Sequence, residues 1–245
     1  MQQARVALIT GGGTGIGKEV ALGLAAQGIN TVLNYSRSAK EAAETAALVN
    51  ARGVSCLLHA ANVADDREVR AMVGSVVERL GRLDYVVNAA GVTDFVALPD
   101  LEGLKEEYWD RALAVNVKGV FFVCRAAAPH LKQVQGSIVN ITSIAGINGR
   151  GSSIAYAASK AAAIAMTKSL ALALAPDVRV NSVAPGPVMT RWNAGREEAM
   201  KKAALGAPLA KVCGPEDVAA VVVPLLLSAG MMTGQTVVVD GGMVM

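Results

Sequence analysis

Aromatic residues are scarce in this chain: phenylalanine, tyrosine and tryptophan together make up 4% of its 245 residues. There is no run of basic residues and the net charge is only +3, so neither stacking platforms nor a basic face is offered to nucleic acid, and no such partner is expected. Three cysteines occur, Cys56, Cys124 and Cys213, and no pair has the spacing of a metal knuckle or a disulfide framework. They read as reduced, partly buried thiols. His59 and His130 stand far apart and read as structural or surface residues, so no metal site is expected. The apolar stretch 218–229 is too short to span a bilayer and carries Pro224, and no membrane partner is expected. The N-terminus runs directly into an apolar strand with no signal-peptide pattern, which points to the cytoplasm. Linkers, repeats and low-complexity segments are missing too, so residues 1–245 read as a single domain. Charged residues are 18% of the chain, below the usual quarter, against 53% hydrophobic. That excess of apolar surface favours a homo-oligomer.

What is present is apolar strand after amphipathic helix, repeated. Strands are predicted at 5–10, 31–35, 54–59, 83–87, 137–142, 178–183 and 236–239. Helices are predicted from about Ile16 to Gly28, then at 40–51, 65–80, 117–131, 153–174 and 215–227. Pro224 inside the last helix predicts a kink or a lost hydrogen bond. Regular alternation with apolar strands predicts an α/β fold, a doubly wound parallel sheet with helices on both faces. Ligands of such sheets sit at the carboxyl ends of the strands, where the glycines after strand one, Asn88, Ser143 and Pro185-Gly186 all fall.

The first of these ends reads Thr10-Gly11-Gly12-Gly13-Thr14-Gly15-Ile16-Gly17. Close backbone approach to a pyrophosphate needs residues without side chains, and Gly11, Gly15 and Gly17 provide them. The helix beginning near Gly15 then aims its free N–H groups and its dipole at the phosphates. A glycine-rich turn without a ligand is the plain alternative; the placement after a first strand and before an amphipathic helix argues against it. The second strand ends Asn34-Tyr35-Ser36-Arg37, where an acid would hold a ribose 2′-hydroxyl. No acid is there. A hydroxyl followed by a guanidinium suits a 2′-phosphate, so NADP(H) is expected ahead of NAD(H), with Arg37 as an ordinary surface charge the alternative.

Farther on the chain reads Tyr156-Ala157-Ala158-Ser159-Lys160. Residues four apart share a helix face. A free tyrosine has a pKa of about 10, and a nearby ammonium is expected to lower it. Ser143, directly after a strand, is placed to meet a substrate oxygen. Asn116 is placed to hold water beside Lys160 and pass protons outward. Each has a plain reading, a cap or a helix-end hydrogen bond, but all four in this order behind a phosphate turn are hard to explain as structure alone.

These residues resemble the short-chain dehydrogenase/reductase family, classical branch, over essentially the whole chain. The resemblance rests on Thr10–Gly17, on Asn88-Ala89-Ala90-Gly91, on Asn116, Ser143, Tyr156 and Lys160, on Pro185-Gly186-Pro187-Val188-Met189-Thr190, and on the ending Val239-Asp240-Gly241-Gly242. It implies a Rossmann fold and hydride transfer between a nicotinamide and a carbonyl or secondary alcohol. It makes Tyr156 the general acid in reduction and base in oxidation, and Ser143 the group positioning the substrate oxygen. Lys160 lowers the Tyr156 pKa and binds the nicotinamide ribose, and Asn116 supports the proton relay. The implied cofactor-binding set is Gly11, Thr14, Gly15, Ile16, Gly17, Ser36, Arg37, Asn62, Val63, Asn88, Ala89, Gly91, Tyr156, Lys160, Pro185, Gly186, Val188 and Thr190, with Asn62 standing where the family often has aspartate beside the adenine.

The ending Gly241-Gly242-Met243-Val244-Met245 and the length are similar to the 3-oxoacyl-carrier-protein reductases. That branch tends to carry basic residues around the pocket mouth, whereas Lys132-Gln133-Val134-Gln135 and 172–177 carry little positive charge, so a small ketone, sugar or steroid-like alcohol stands beside an acyl thioester as substrate. The substrate lid is expected at 189–209, with Trp192 as a pocket wall. Helical stretches 120–128 and 161–175 are apolar on more than one face, and in the resembling family such helices pair across subunits to give a homotetramer. Two further readings are an NAD-dependent dehydrogenase of a small alcohol, and a nucleotide-sensing protein without catalysis. The second is disfavoured by the presence of both Tyr156 and Lys160.

Overall fold

The computed structural model describes residues 4–245. In chain order the elements are β1 (Val6–Thr10), α1 (Gly15–Ala25), β2 (Asn30–Tyr35), α2 (Ala39–Asn50), β3 (Cys56–Ala60), α3 (Asp66–Leu80), β4 (Tyr85–Asn88) and α4 (Glu106–Leu113). A π turn, Ala114–Gly119, leads into α5 (Val120–Lys132). Then come β5 (Ser137–Ile141), α6 (Ala145–Asn148), α7 (Ile154–Leu174), β6 (Arg179–Pro185), a 3-10 turn at Arg191–Asn193, α8 (Glu197–Leu205), α9 (Pro215–Leu227) and β7 (Thr236–Val239).

Among the described residues, seven strands form one sheet in the order β3-β2-β1-β4-β5-β6-β7, every pairing parallel. The strand order reverses between β1 and β4, so the carboxyl ends of these two strands flank the crevice where such sheets bind ligands. Strands alternate their side chains between faces, and two cores result. On one face Val6, Leu8, Val86 and Ile138 pack under α3, α5 and α7. On the other Ala7, Ile9, Val87 and Val139 pack under α1 and α9. The predicted doubly wound parallel sheet is therefore the one observed.

Local chemistry explains the helix ends. Asp65 caps α3, its carboxylate accepting from the Arg67 and Glu68 N–H groups, and Gly81 ends that helix in the left-handed region. The expected kink at Pro224 does not interrupt α9, which runs to Leu227. Proline removes the donor for the carbonyl four residues back, and Ala220 lies on the exposed side where water reaches it. The far end of α9 is closed by Arg179, whose guanidinium donates to the Leu225, Leu226 and Ala229 carbonyls at 2.7–3.0 Å.

Two elements depart from expectation. The helix predicted to begin at 117 begins at Glu106 and reaches Lys132 through the π turn. In α4 Tyr108, Trp109, Ala112 and Leu113 do share one face, but the helix is short and only Ala112 is fully buried, so its stripe is brief. The four-residue α6 was too short for any periodicity. The segments Glu106–Lys132 and Ile154–Leu174 also have the length and apolarity to cross a membrane, which 218–229 lacks; here each lays one face on the sheet, as core helices do.

Candidate active site

At the end of β1 the chain turns sharply. Gly11 and Gly15 have φ of +63° and +53°, a region that favours glycine. A Cβ on Gly17 would lie 2.4 Å from the Gly11 carbonyl oxygen, so the start of α1 rests directly on the turn. The N-cap residue Thr14 makes no side-chain capping bond and the first turn of α1 carries no acid. A glycine turn feeding an uncapped helix N-terminus is a fit for the pyrophosphate of a dinucleotide, with the N–H groups around Thr14, Gly15, Ile16 and Gly17 as donors.

The next strand ends bring the reactive groups together. Ser143 follows β5, its hydroxyl accepting from Ala145 N–H at 3.1 Å, and it stands near enough to the Tyr156 phenol to act on its titration. Ser153 caps α7, accepting from Tyr156 N–H at 3.2 Å, and thereby fixes where the helix carrying Tyr156 and Lys160 begins. The Lys160 ammonium lies 5.7 Å from the centre of the Tyr156 ring and donates to the Ile141 carbonyl at 2.8 Å. Asn116, in the π turn, accepts from Val92 N–H and donates to Val92 C=O, both at 2.9 Å, and donates to Ser159 Oγ at 3.0 Å. π turns widen a helix locally and often mark functional sites. Gly91 completes the cluster: a Cβ there would be 3.4 Å from Asn116 Oδ1 and 3.7 Å from Lys160 Nζ.

The family described as Enoyl-(Acyl carrier protein) reductase matches residues 11–244 of this chain. The chain is similar to the 3-oxoacyl-(acyl-carrier-protein) reductase FabG of Staphylococcus aureus, 39% identical over 249 residues and all of both chains. It is 40% identical over 248 residues to the 3-oxoacyl-(acyl-carrier-protein) reductase of Synechocystis sp., covering 99% of this chain and 98% of that one. A solved short-chain type dehydrogenase/reductase from Mycobacterium ulcerans superposes with a TM-score of 0.92 at 32% identity, over 98% of this chain and 90% of that one. The chain belongs to the short-chain dehydrogenase/reductase family. It is an oxidoreductase of the NAD(P)(H)-dependent kind acting on a carbonyl or alcohol.

Within this short-chain dehydrogenase/reductase the electrostatics differ from the simple expectation that Lys160 lowers the Tyr156 pKa. Burial pushes Tyr156 up to about 12, against a smaller lowering from the nearby Ser143 hydroxyl. Burial also pulls Lys160 down to about 8. Desolvation of both groups outweighs their attraction, because the ammonium sits over the ring at 5.7 Å with its proton on a backbone carbonyl, not on the phenol oxygen. Tyr156 is thus held as a phenol, a proton donor, at neutral pH.

Several predicted site residues are placed otherwise than expected. Both amide protons of Asn116 are spent on Val92 and Ser159, so its side chain is a brace and no N–H is left for a relay water. Asn88 turns inward: its amide donates to Asn140 Oδ1 at 2.9 Å and to Cys124 Sγ at 3.3 Å, away from the groove. The side chains of Val63 and Val188 lie in the two cores, Val63 against Gly119. Asn62 spends Oδ1 on Ala64 N–H at 3.1 Å, closing a tight turn. Strand ends expose alternate residues, and which of two neighbours points out cannot be read from a motif.

Ser36 and Arg37 are exposed at the end of β2. Ala89 and Gly91 follow β4, half-buried, and Pro185 and Gly186 close β6, with Ile144 N–H donating to the Pro185 carbonyl at 3.1 Å. Thr190 rests on the phosphate turn, its Cγ2 3.2 Å from where a Gly15 Cβ would be. Sequence reasoning missed Arg191, which crosses to α2, and the pairing of Phe95 with Arg196, whose guanidinium carbon stands 3.6 Å from the ring centre. Nothing in local sequence pairs residues 100 or more apart. The expected lid segment contains the 3-10 turn and α8, and it returns to the body where Leu209 N–H donates to the Gly241 carbonyl at 3.1 Å. Gly242, at φ +90°, leaves room there for Pro208, 2.8 Å from where its Cβ would be.

Proposed function

We propose that this protein is an NADP(H)-dependent carbonyl reductase in which Tyr156 protonates the substrate oxygen. The observation that carries the reading is the placement of Lys160 5.7 Å from the Tyr156 ring centre on one face of α7, with Ser143 beside the phenol and burial pushing that phenol up to about 12. In reduction Ser143 and Tyr156 both reach one substrate oxygen, Ser143 orienting it and Tyr156 giving up its proton as negative charge develops there. Lys160 then stands beside the phenolate and stabilises it, and it also holds the nicotinamide ribose. Asn116 braces the strand-end loop at Val92 and the helix at Ser159, keeping Tyr156 and Lys160 in register. When bound, the cofactor supplies the hydride.

The 2′-phosphate is assigned to Ser36 and Arg37, since β2 ends without an acid. A 3-oxoacyl thioester is the substrate class we favour, because relatives matching along the whole chain are reductases of that class by name. Residues 189–209 act as its lid over one domain spanning 1–245. The apolar outer faces of the long helices, where Leu113, Phe121 and Leu172 remain exposed, support a homotetramer in the cytoplasm. Neither nucleic acid nor membrane enters this reading.

A second reading, an NAD-dependent dehydrogenase of a small alcohol, is favoured by one observation: Glu41, in the first turn of α2, brings a carboxylate close to the same corner. Parallel fluorescence titration with NADPH and NADH separates the two. Tighter NADPH, lost selectively in Arg37→Glu, supports the first reading. Tighter NADH overturns it and sends the substrate screen to alcohols and sugars in the oxidative direction.

A further inference from the structure

The corner between β2 and α2 is built around a residue that comes from far along the chain. The Arg191 guanidinium donates to Glu41 Oε1 at 2.6 Å and to Ser38 Oγ at 2.5 Å. Ser38 stands at the N-cap of α2 yet makes no capping bond, because its hydroxyl faces Arg191 instead. Next to this corner, a groove running from the phosphate turn to α2 is lined by Gly13, Lys18, Glu19, Glu41, Glu44 and Arg191 among others. Three carboxylates against two cations is a poor environment for a phosphate. Take Arg191 away and the balance worsens twice over, since a positive charge goes and Glu41 loses its partner. Arg191 and Glu41 are 55% and 42% exposed, so their pair is readily exchanged for a stronger one. A dianionic phosphate accepts from an arginine fork in the same geometry as a carboxylate, with more charge.

We infer that Arg191 is a specificity-determining residue for the 2′-phosphate of NADP(H), adding a second guanidinium to that of Arg37 in the turn before α2, and that Glu41 is its counter-ion only while that phosphate is absent. The inference rests on the NADP(H) reading above and adds a residue to it. It also ties cofactor choice to the lid. Arg191 precedes Trp192, whose ring centre is 6.1 Å from that of Tyr156, so one short segment touches both ends of the dinucleotide groove.

The test is calorimetric titration of the full-length protein with NADPH and NADH, and with 2′,5′-ADP and 5′-AMP to remove the nicotinamide. Wild type, Arg191→Gln and Glu41→Gln are compared. Both residues are exposed, and the fold is expected to survive either change. Arg191→Gln is expected to weaken NADPH and 2′,5′-ADP about tenfold or more while moving NADH and 5′-AMP less than threefold, the loss of one charge-assisted contact. Glu41→Gln is expected to tighten NADPH a few-fold and leave NADH alone. Equal losses on both cofactors, or none, in Arg191→Gln overturn the role of Arg191 and leave the NADP(H) preference of the wild type standing. A Glu41→Gln variant that loses NADH selectively overturns it as well, by assigning Glu41 to the ribose hydroxyls. A wild type that binds NADH more tightly overturns the reading beneath the inference.

Discussion

Asn116 spends its amide on Val92 and Ser159, with no exposed surface, whereas Arg191 reaches Ser38 and Glu41 across open solvent. The two residues stand for two regions of the same groove. Its floor, from Ser143 through Asn116 to Lys160, is tied by buried hydrogen bonds to strand ends and to α7. The segment that crosses it, Thr190 to Leu205, buries Met200 and Ala204, but its polar and aromatic contacts with the body are made by exposed side chains: Arg191 on α2, Trp192 on Tyr156, Arg196 on Phe95. Buried polar contacts are costly to leave unmade, so the floor has one arrangement. Exposed pairs exchange partners at small cost, so less is lost when the contacts of the crossing segment change. Substitutions in the two regions should therefore differ in kind as well as size.

The largest effect is expected from the floor. Tyr156→Phe removes the proton donor and little else. We expect kcat to fall by about 10²–10⁴, the usual contribution of a general acid, with NADPH affinity within twofold of wild type and an unchanged melting temperature. Retained turnover would show that another acid serves.

Asn116→Ala comes next. It strands the Val92 N–H and C=O in a partly buried place, while the Ser159 hydroxyl keeps its bond to the Tyr156 carbonyl. A loss of roughly 2–4 kcal/mol is expected, read by urea denaturation. A loss below about 0.5 kcal/mol, the range of a surface change, would place Asn116 with the crossing segment instead.

Lys160 gives a test with opposite signs for stability and function. Its pKa falls from 10.5 to about 8 through burial. Between those values the unfolded chain holds a proton that the folded protein lacks, so wild-type stability drops as pH falls from 10.5 to 8 and stays reduced below. Lys160→Met, which lacks that proton, should be more stable than wild type by about 1–2 kcal/mol near pH 7, after the lost bond to the Ile141 carbonyl is allowed for, and should lose this advantage above pH 10.5. Activity should be lost throughout. Melting curves across pH check the first part; a variant less stable than wild type at pH 7 would show that the ammonium is not strained by its burial.

How much of this could be read from the chain follows the same division. The glycine turn, the Tyr156–Lys160 spacing and the ends of α9 and β7 were legible, because backbone conformation and local periodicity leave marks within a few residues. Helix α4 was not, since its stripe of Tyr108, Trp109, Ala112 and Leu113 is too brief to separate from a loop by periodicity. The inward turn of Asn88, and of Val63 and Val188 into the cores, was hidden by the alternation of faces at strand ends. The raised Tyr156 pKa is a product of burial, which spacing does not encode. The contacts of the crossing segment join residues far apart in sequence, and no local pattern announces them. Motifs thus report the chemistry of the floor and stay silent on what crosses it.

The smallest effect should come from the cover itself, and it bears most directly on the comparison. Arg196 leads into α8 and lies 3.6 Å over the Phe95 ring, which belongs to the loop braced at Val92 by Asn116 and at Val96 by a 2.9 Å bond from its N–H to the Ser152 carbonyl. Through this stack the crossing segment is fastened to a loop that belongs to the floor. An exposed cation–π contact is worth about 0.5–1 kcal/mol. Arg196→Gln should therefore raise KM for the carbonyl substrate by roughly two- to fivefold, as closure over the pocket becomes less favourable, and leave kcat and cofactor affinity nearly unchanged. Phe95→Leu should do the same, and the double variant should add little, because each change already removes the shared contact. If the two effects instead add in full, the stack carries no coupling and each residue meets the substrate on its own. If kcat falls along with them, the cover reaches the proton-transfer geometry at Tyr156, and the division between floor and cover is less sharp than their contacts imply.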